Sequence, residues 1–358
     1  MMKTYTLPRL IINLKNVRSN YRELCKRSNG TTVGAVVKDD SYGCGCADVV
    51  EALVQEGCTT FFVDYAPCGV IVRQKAPQAD IYCLQSLGLD TLDEIKQAHL
   101  IPVLGSLEDL QIFKQANLPD IPLAINIETG LNRLGFRPSD IQTLSSEDRA
   151  AVKLCLSHLA CSSYTYHPLN GQQLQRFAEM KDIFPNAKFT LGASDAFQLG
   201  PRYYFDIIRA GANLYGIDTF ETNRDYLKQA MHVQAAVLQI ADLPTGESVS
   251  YGATYKATSP RKIAIIGIGY GDGLPRSLSN GKGKVFYEGH EIPILGRICM
   301  DNIICDITDV PNLQTGVLVD VLNDTYTADD MGIDAGTIGY EIISTFGKNK
   351  RFKRIVIR

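Results

Sequence analysis

One rhythm constrains this chain more than any other feature. A short apolar run gives way to a turn, then to a segment with helical spacing, then to another short apolar run. The runs are Val33–Val37, TFFVD from Thr60 to Asp64, Ile81–Leu84, Ile101–Leu104, Leu123–Ile127, Val152–Leu156, Lys188–Leu191 and Phe205–Ile208. Short, near-continuous apolar runs bounded by turn signals suit strands buried on both faces. Between them lie helical patterns. Leu14, Val17, Tyr21, Leu24 and Cys25 share one face behind a candidate N-cap at Asn13, ADVVEALVQEG closes on Gly57, and LDTLDEIKQAH, SLEDLQIFKQA and NGQQLQRFAEMKDIF continue the series. The alternation fills about 215 residues, close to the roughly 250 of a typical (β/α)8 barrel.

After residue 228 the pattern changes. HVQAAVLQIADLPTGESVSYGATYKA, RKIAIIGIGYGDG and GKVFYEGHEIPILGRICMDNIICDIT carry short Ile- and Val-rich runs broken by Gly and Pro, and helical periodicity is largely gone. The expected fold class is therefore α/β: an N-terminal (β/α)8 TIM barrel over residues 1–228, followed by a mostly-β C-terminal domain over 229–358. The first ten residues are able to pack with the second unit.

Composition removes several classes of function. The formal net charge of -3 gives no electrostatic footprint for nucleic acid. No apolar run reaches the length of a membrane span, and the N-terminus lacks the plan of a signal peptide, so a cytoplasmic protein is expected. Ten cysteines are scattered singly through apolar segments. Cys44 and Cys46 form the closest pair, no second pair stands at zinc-ligand spacing, and no metal is expected. The glycines of GIGYGDG are not spaced as a dinucleotide fingerprint, and there is no P-loop and no GxSxG elbow.

The chemistry-bearing residues sit where the strands end. GAVVKDDSYGCG runs from an apolar strand straight into Lys38 and two aspartates. An unpaired lysine is costly to bury, so its place there needs a reason. Asn126 and Arg133 follow the fifth strand, His158 ends the sixth, Ser194 follows the seventh and Arg209 ends the eighth. In a barrel of this kind the C-terminal strand ends converge on one mouth. A lone histidine is more often structural, and a lone strand-end polar residue is more often a solvated loop residue. The repetition around the barrel carries the expectation. A lysine at such a mouth suggests Schiff-base chemistry, which partial burial assists by lowering the amine pKa.

VVKDDSYGCG resembles the pyridoxal phosphate lysine motif of the alanine racemase family, usually VKANAYGHG-like. TGLNRLGF resembles that family's TGMGRLG and IRAGANLYGI its VRPGIAMYG. VSYGATY, GIGYGDGLPR and GRICMDNIICDI match three further blocks in the same order. The likeness runs from PRLIINLKNVRSNY to TIGYEIISTFG, nearly the whole chain.

The resemblance implies an amino-acid racemase that uses pyridoxal 5′-phosphate, working as a homodimer with shared sites and supplying D-alanine for peptidoglycan. Lys38 would hold the cofactor and act as one acid/base. Tyr251, from the partner chain, would be the other. Racemisation removes the Cα proton from one face and returns it to the other, so two bases on opposite faces are the direct solution. Tyrosine is a poor base at its ordinary pKa near ~10, and the family uses the His158–Arg209 pair to tune it. Arg209 would donate to the cofactor's ring nitrogen and keep the ring largely unprotonated. Arg133 would bond the phenolic oxygen and serve the substrate. Tyr42, Ser194, the backbone of Gly211 and Ala212, and Tyr340 would hold the phosphate. Met300 and Asp301 of the partner would contact the substrate carboxylate region, and Tyr270 would help form the entrance.

The sequence departs from the family at three points. Asp39 and Asp40 stand beside the lysine without an evident role. Asn126 takes the place of a lysine that is carbamylated in many members, so Arg133 needs another anchor: Glu128, a chloride or water. Ala193 precedes Ser194 where Asn is usual. These changes leave alanine, serine and broad-range racemases open as substrate classes. A decarboxylase on this fold would place an acid, not Arg209, at the ring nitrogen, and a single-barrel cofactor carrier would lack Tyr251.

Overall fold

The computed structural model describes residues 7–85, 87–218 and 226–358. A first strand, β1 (Arg9–Asn13), precedes the alternating series. The series then supplies eight parallel strands: β2 (Thr32–Val36), β3 (Thr60–Val63), β4 (Asp80–Cys83), β5 (Ile101–Leu104), β6 (Leu123–Asn126), β7 (Val152–Leu156), β8 (Lys188–Thr190) and β9 (Ile207–Ala210). Their order is β8-β7-β6-β5-β4-β3-β2-β9, and a parallel bridge between Ala193 and Arg209 joins the two ends into a ring. Every residue of β3, β5 and β9 is buried, as strands covered on both faces require.

The helices form where the apolar spacing places them. Leu14–Arg27 starts at Asn13, whose side chain accepts from the Asn16 N–H at 3.3 Å, and buries Leu14, Val17, Tyr21 and Leu24. Leu107–Ala116 is capped by Ser106, which accepts from the Asp109 N–H at 3.1 Å. Cys46–Gln55 ends two residues before Gly57, whose φ of 86° is open only to a few residue types.

One strand lies elsewhere than the apolar pattern indicates. The run Phe205–Ile208 is not the strand; β9 begins two residues later. Phe205 has φ of 54° and belongs to the turn, while Arg209 lies inside the strand rather than at its end.

Beyond residue 230 the chain builds a second sheet. Its strands are β10 (Met231–Leu243), β13 (Arg261–Ile266), β14 (Lys284–Tyr287), β15 (His290–Leu295), β16 (Ile303–Asp306), β17 (Leu318–Leu322) and β18 (Lys353–Ile357). A separate hairpin pairs β11 (Ser248–Val249) with β12 (Tyr255–Lys256). The order β13-β16-β15-β14-β17-β10-β1-β18, with β13 also pairing β10, takes in the N-terminal strand. β1 runs antiparallel to β10 and parallel to β18. Two helices, Ala328–Ala335 and Gly339–Lys348, stand where helical periodicity is weak. The first has a legible start, a capping box in which Thr327 and Asp330 bond reciprocally. The second carries Tyr340 to the barrel mouth.

Candidate active site

The barrel strands end around a cavity of about 480 Å³. Lys38, Tyr42, Arg133, His158, Ser194, Arg209, Gly211, Ala212 and Tyr340 all line it.

Lys38 enters from a left-handed turn. Asp39, Asp40, Ser41 and Tyr42 have φ of 55°, 52°, 56° and 54°. A left-handed residue other than glycine costs roughly 1–2 kcal/mol, so such a run persists only where neighbours over-determine it. They do so here through the two aspartates that lacked a role. The Asp40 carboxylate accepts from the Cys46 N–H at 2.7 Å, and Asp39 pairs with Lys348 at 2.7 Å. The Asp39 N–H donates to Asp64 Oδ2 at 2.9 Å. Burial, and next the Arg133 charge, pull the Lys38 amine below its ordinary pKa, while Asp64 and Asp39 oppose the shift.

Arg209 is buried to 4% exposure, and its partners are not acids. Its Nη1 donates to the Thr190 carbonyl at 2.8 Å and to Thr190 Oγ1 at 2.7 Å. Its Nη2 donates to the carbonyl oxygens of Ser157 at 2.6 Å and Leu191 at 3.2 Å, and lies 3.2 Å from His158 Nδ1. Among the described residues no carboxylate pairs with this guanidinium. Burial, with Arg133 adding to it, pulls Arg209 down to about 9, still charged at neutral pH. Burial and then the Arg209, Arg133 and Lys38 charges hold His158 down at about 3, so it stays neutral.

Arg133 sits on a loop knitted through its backbone. The Phe136 N–H donates to the Asn126 carbonyl at 2.7 Å, and the Asn126 side chain donates to the Leu134 carbonyl at 2.5 Å. The Glu128 carboxylate accepts from the N–H groups of Gly130 at 2.5 Å and Arg133 at 3.1 Å. Burial opposes ionisation of Glu128, but the loop N–H groups outweigh it and hold the acid below its usual range. Glu128 thus anchors the Arg133 backbone rather than its guanidinium, which meets no hydrogen-bond partner among the described residues. Gln173, fully buried, ties this loop to the next by donating to Thr129 Oγ1 at 3.0 Å and to the His158 carbonyl at 2.9 Å.

At the far end Ser194 Oγ accepts from the Gly211 N–H at 3.0 Å, which leaves its own proton to donate. A Cβ at Gly211 would stand 2.7 Å from Tyr42 Oη, so the glycine admits that hydroxyl. Burial raises the pKa of both Tyr42 and Tyr340, with nearby carboxylates adding to it, so both remain hydrogen-bond donors. Hydroxyls and backbone N–H groups at one end, with Lys38, Arg133 and Arg209 beyond them, suit a flat group bearing a phosphate dianion. Pyridoxal 5′-phosphate fits this donor set, because Arg209 has no acid that would compete for it.

Tyr251, Tyr270, Met300 and Asp301 do not reach the cavity of their own chain. Tyr251 is 69% exposed, Met300 53% and Tyr270 42%. They share one loop cluster. The Tyr270 and Gly271 N–H groups donate to the carbonyl oxygens of Cys299 and Met300, and Ser250 Oγ donates to the Arg297 carbonyl at 2.5 Å. Arg351 braces the cluster by pairing with the buried Asp272 at 3.2 Å and with Asp301 at 2.8 Å.

Asp64, Thr190, Ser157 and Gln173 act at the site without having stood out in the sequence. Asp64 had a signal, since it is an acid directly after the apolar run TFFV, as Lys38 follows AVV. The others are ordinary polar residues whose partners only the folded chain defines.

The family model described as "Alanine racemase, N-terminal domain" matches residues 12–219, and "Alanine racemase, C-terminal domain" matches 230–356. The catabolic alanine racemase of Mesorhizobium japonicum is 36% identical, over 96% of this chain and 92% of that protein. The biosynthetic alanine racemase of Agrobacterium fabrum is 33% identical, over 95% of this chain and 91% of its own length. Among solved structures, alanine racemase from Bartonella henselae with covalently bound pyridoxal phosphate superposes with a TM-score of 0.92 at 33% identity, covering 99% of this chain and 100% of that one.

Proposed function

The chain belongs to the alanine racemase family, and from that premise we propose that it interconverts L- and D-alanine with pyridoxal 5′-phosphate at the barrel mouth. The observation that carries this reading is the convergence of Lys38, Arg133 and Arg209 on one cavity, with no acid on Arg209. The cofactor, when bound, supplies an electron sink that acidifies the Cα–H bond of an amino acid.

The chain's own residues do the rest. Lys38 attaches the cofactor and carries a proton to or from one face of Cα. Burial, with the Arg133 charge next, lowers its pKa and so favours the free amine that this role needs. Tyr251 of a second copy carries the proton on the other face. Arg209 donates to the ring nitrogen and cannot take up its proton, which moderates the sink and disfavours side reactions. Tyr42, Ser194, Tyr340 and the Gly211 and Ala212 backbone hold the phosphate. Arg133 bonds the phenolic oxygen and receives the substrate carboxylate. Met300 and Asp301 of the second copy close the carboxylate side, and Tyr270 lines the entrance.

The division of labour largely follows the chain: residues 1–228, joined by Tyr340, bind cofactor, and the remainder of residues 229–358 completes the neighbour's site in a homodimer. No helix among the described residues is long and apolar enough to cross a membrane. A cytoplasmic enzyme supplying D-alanine for peptidoglycan is the role we assign. The test is a chiral assay of purified protein with added pyridoxal phosphate on alanine, serine and lysine. Racemisation of alanine well above the other two supports the assignment. Equal rates on all three replace it with a broad-range racemase, and no turnover of any of them refutes it.

A further inference from the structure

Asp64 belongs to none of the motifs that point to this chemistry, yet it occupies the place beside the lysine. Strands β2 and β3 run parallel with Val36 opposite Phe62. The Val37 N–H continues the ladder by donating to the Phe62 carbonyl at 2.8 Å. Carried two residues further, that register sets Lys38 opposite Asp64. Both line the cavity. One oxygen of the Asp64 carboxylate accepts from the Asp39 N–H at 2.9 Å, and the other from the Tyr65 N–H at 2.9 Å.

We propose that Asp64 is the positioning residue of Lys38: by pinning the Asp39 N–H it fixes the left-handed turn at its first residue and so sets the direction in which the lysine amine enters the cavity. The proposal rests on Lys38 being the cofactor-bearing amine. The other holds on the turn act further along it or from outside. Asp40 bonds the Cys46 N–H, four residues beyond the turn, and Asp39 pairs with Lys348, whose side chain is 61% exposed. Among the described residues Asp64 is the one side chain that grips the backbone at the junction between strand and turn from within the cavity wall. It also balances charge. Arg133 and His158 face Lys38 from the loops after β6 and β7 and Arg209 from β9, and Asp39 and Asp64 face it from its own turn and from just after β3. The Cys68 thiol, from the helix after β3, is raised in pKa by burial and next by the Asp64 carboxylate beside it.

Full-length wild type, Asp64→Ala and Asp64→Asn, each with and without pyridoxal phosphate, decide the matter. Borohydride reduction and peptide mapping of loaded wild type should label Lys38; a label elsewhere overturns the assignment of Lys38 and the proposal with it. Given that label, Asp64→Ala should lower kcat by roughly 10²-fold, the loss expected of a reacting group displaced by about 1 Å, with KM little changed. Asp64→Asn keeps an oxygen that accepts from the Asp39 N–H, so it should recover most of kcat. It lacks the charge that favours the protonated amine, so Lys38 should titrate at lower pH. That titration is read in cofactor-free chain, as acetylation of Lys38 by a trace of acetic anhydride across pH. Wild-type kcat in Asp64→Ala, or a fall in melting temperature as its sole defect, overturns the proposal. So does an Asp64→Asn as slow as Asp64→Ala.

Discussion

The barrel mouth and the loop cluster of the β domain hold equally reactive side chains in opposite states. At the mouth, Arg209 has its Nη groups bonded to fixed oxygens and a ring nitrogen, His158 is held neutral, and the Arg133 loop is knitted by Glu128 and Asn126. In the β domain, Tyr251 and Met300 lie more than half exposed, although the loops beneath them are braced by Arg351 and the buried Asp272. Rigid loops that present exposed aromatic and thioether side chains make little sense for an isolated chain. On the proposed function they form the second half of a site whose first half lies on another copy.

The comparison breaks most sharply at Lys38. On the proposed roles Lys38→Ala removes both cofactor attachment and one proton carrier, so activity should fall by more than the roughly 10⁴-fold upper range of acid–base catalysis. The ~420 nm absorbance that a lysine-bound pyridoxal phosphate gives should vanish with it. Residual activity within tenfold of wild type would place the attachment elsewhere.

Tyr251→Phe probes the other half. Racemisation should fall by roughly 10²–10⁴-fold, while cofactor content and absorbance stay at wild-type levels. In heavy water the Cα hydrogen should exchange from one enantiomer and barely from the other. Loss of cofactor from this variant would mean that Tyr251 belongs to the cofactor's own half.

Gly211→Ala sharpens the contrast by damaging the mouth alone. Its Cβ would meet Tyr42 Oη at 2.7 Å, an overpacking of the kind that costs about 1–3 kcal/mol. The Kd for pyridoxal phosphate should rise roughly tenfold or more, since 1.4 kcal/mol is a factor of ten. Equilibrium dialysis of cofactor-free chain checks it.

The sequence shows the mouth far better than it shows the second half. Strand-end residues are legible because short apolar runs fix the strands, and the strands fix where the next polar residue points. The reading fails at Phe205, an apolar residue in a left-handed turn, and at Arg209, a charge inside a strand, because local pattern cannot weigh the tertiary contacts that decide both. The helices Ala328–Ala335 and Gly339–Lys348 escape the strand-rich pattern around them, although the Thr327–Asp330 capping box marks the first. Asp40 and Glu128 acquire roles through backbone N–H partners and Asp39 through its pair with Lys348, none of which the sequence reveals. The placing of Tyr251 on a second copy came from family likeness, and no periodicity would have supplied it.

Two smaller effects complete the comparison. His158 is pulled down to about 3 in the folded chain against about 6.5 unfolded. A group depressed in this way leaves stability intact above the unfolded value and lost as pH falls toward the folded one. Melting temperature should therefore drop between pH 6.5 and 4, and His158→Gln should flatten part of that slope. The pH–rate profile should show no limb from this imidazole near neutrality. Smallest of all is Lys348→Ala. Its ion pair with Asp39 is 61% exposed on the lysine side, and surface pairs are worth roughly 0.2–1 kcal/mol, so melting should shift by no more than a few degrees.

The central claim is that one catalytic centre is divided between two chains, and subunit complementation tests it most directly. Lys38→Ala and Tyr251→Phe chains, each nearly inactive alone, are unfolded together, refolded and separated by distinct affinity tags to isolate the mixed dimer. One of its two sites would draw Lys38 from one chain and Tyr251 from the other, both intact. The account predicts close to half the wild-type activity per dimer. A purified mixed dimer no more active than its parents would contradict it.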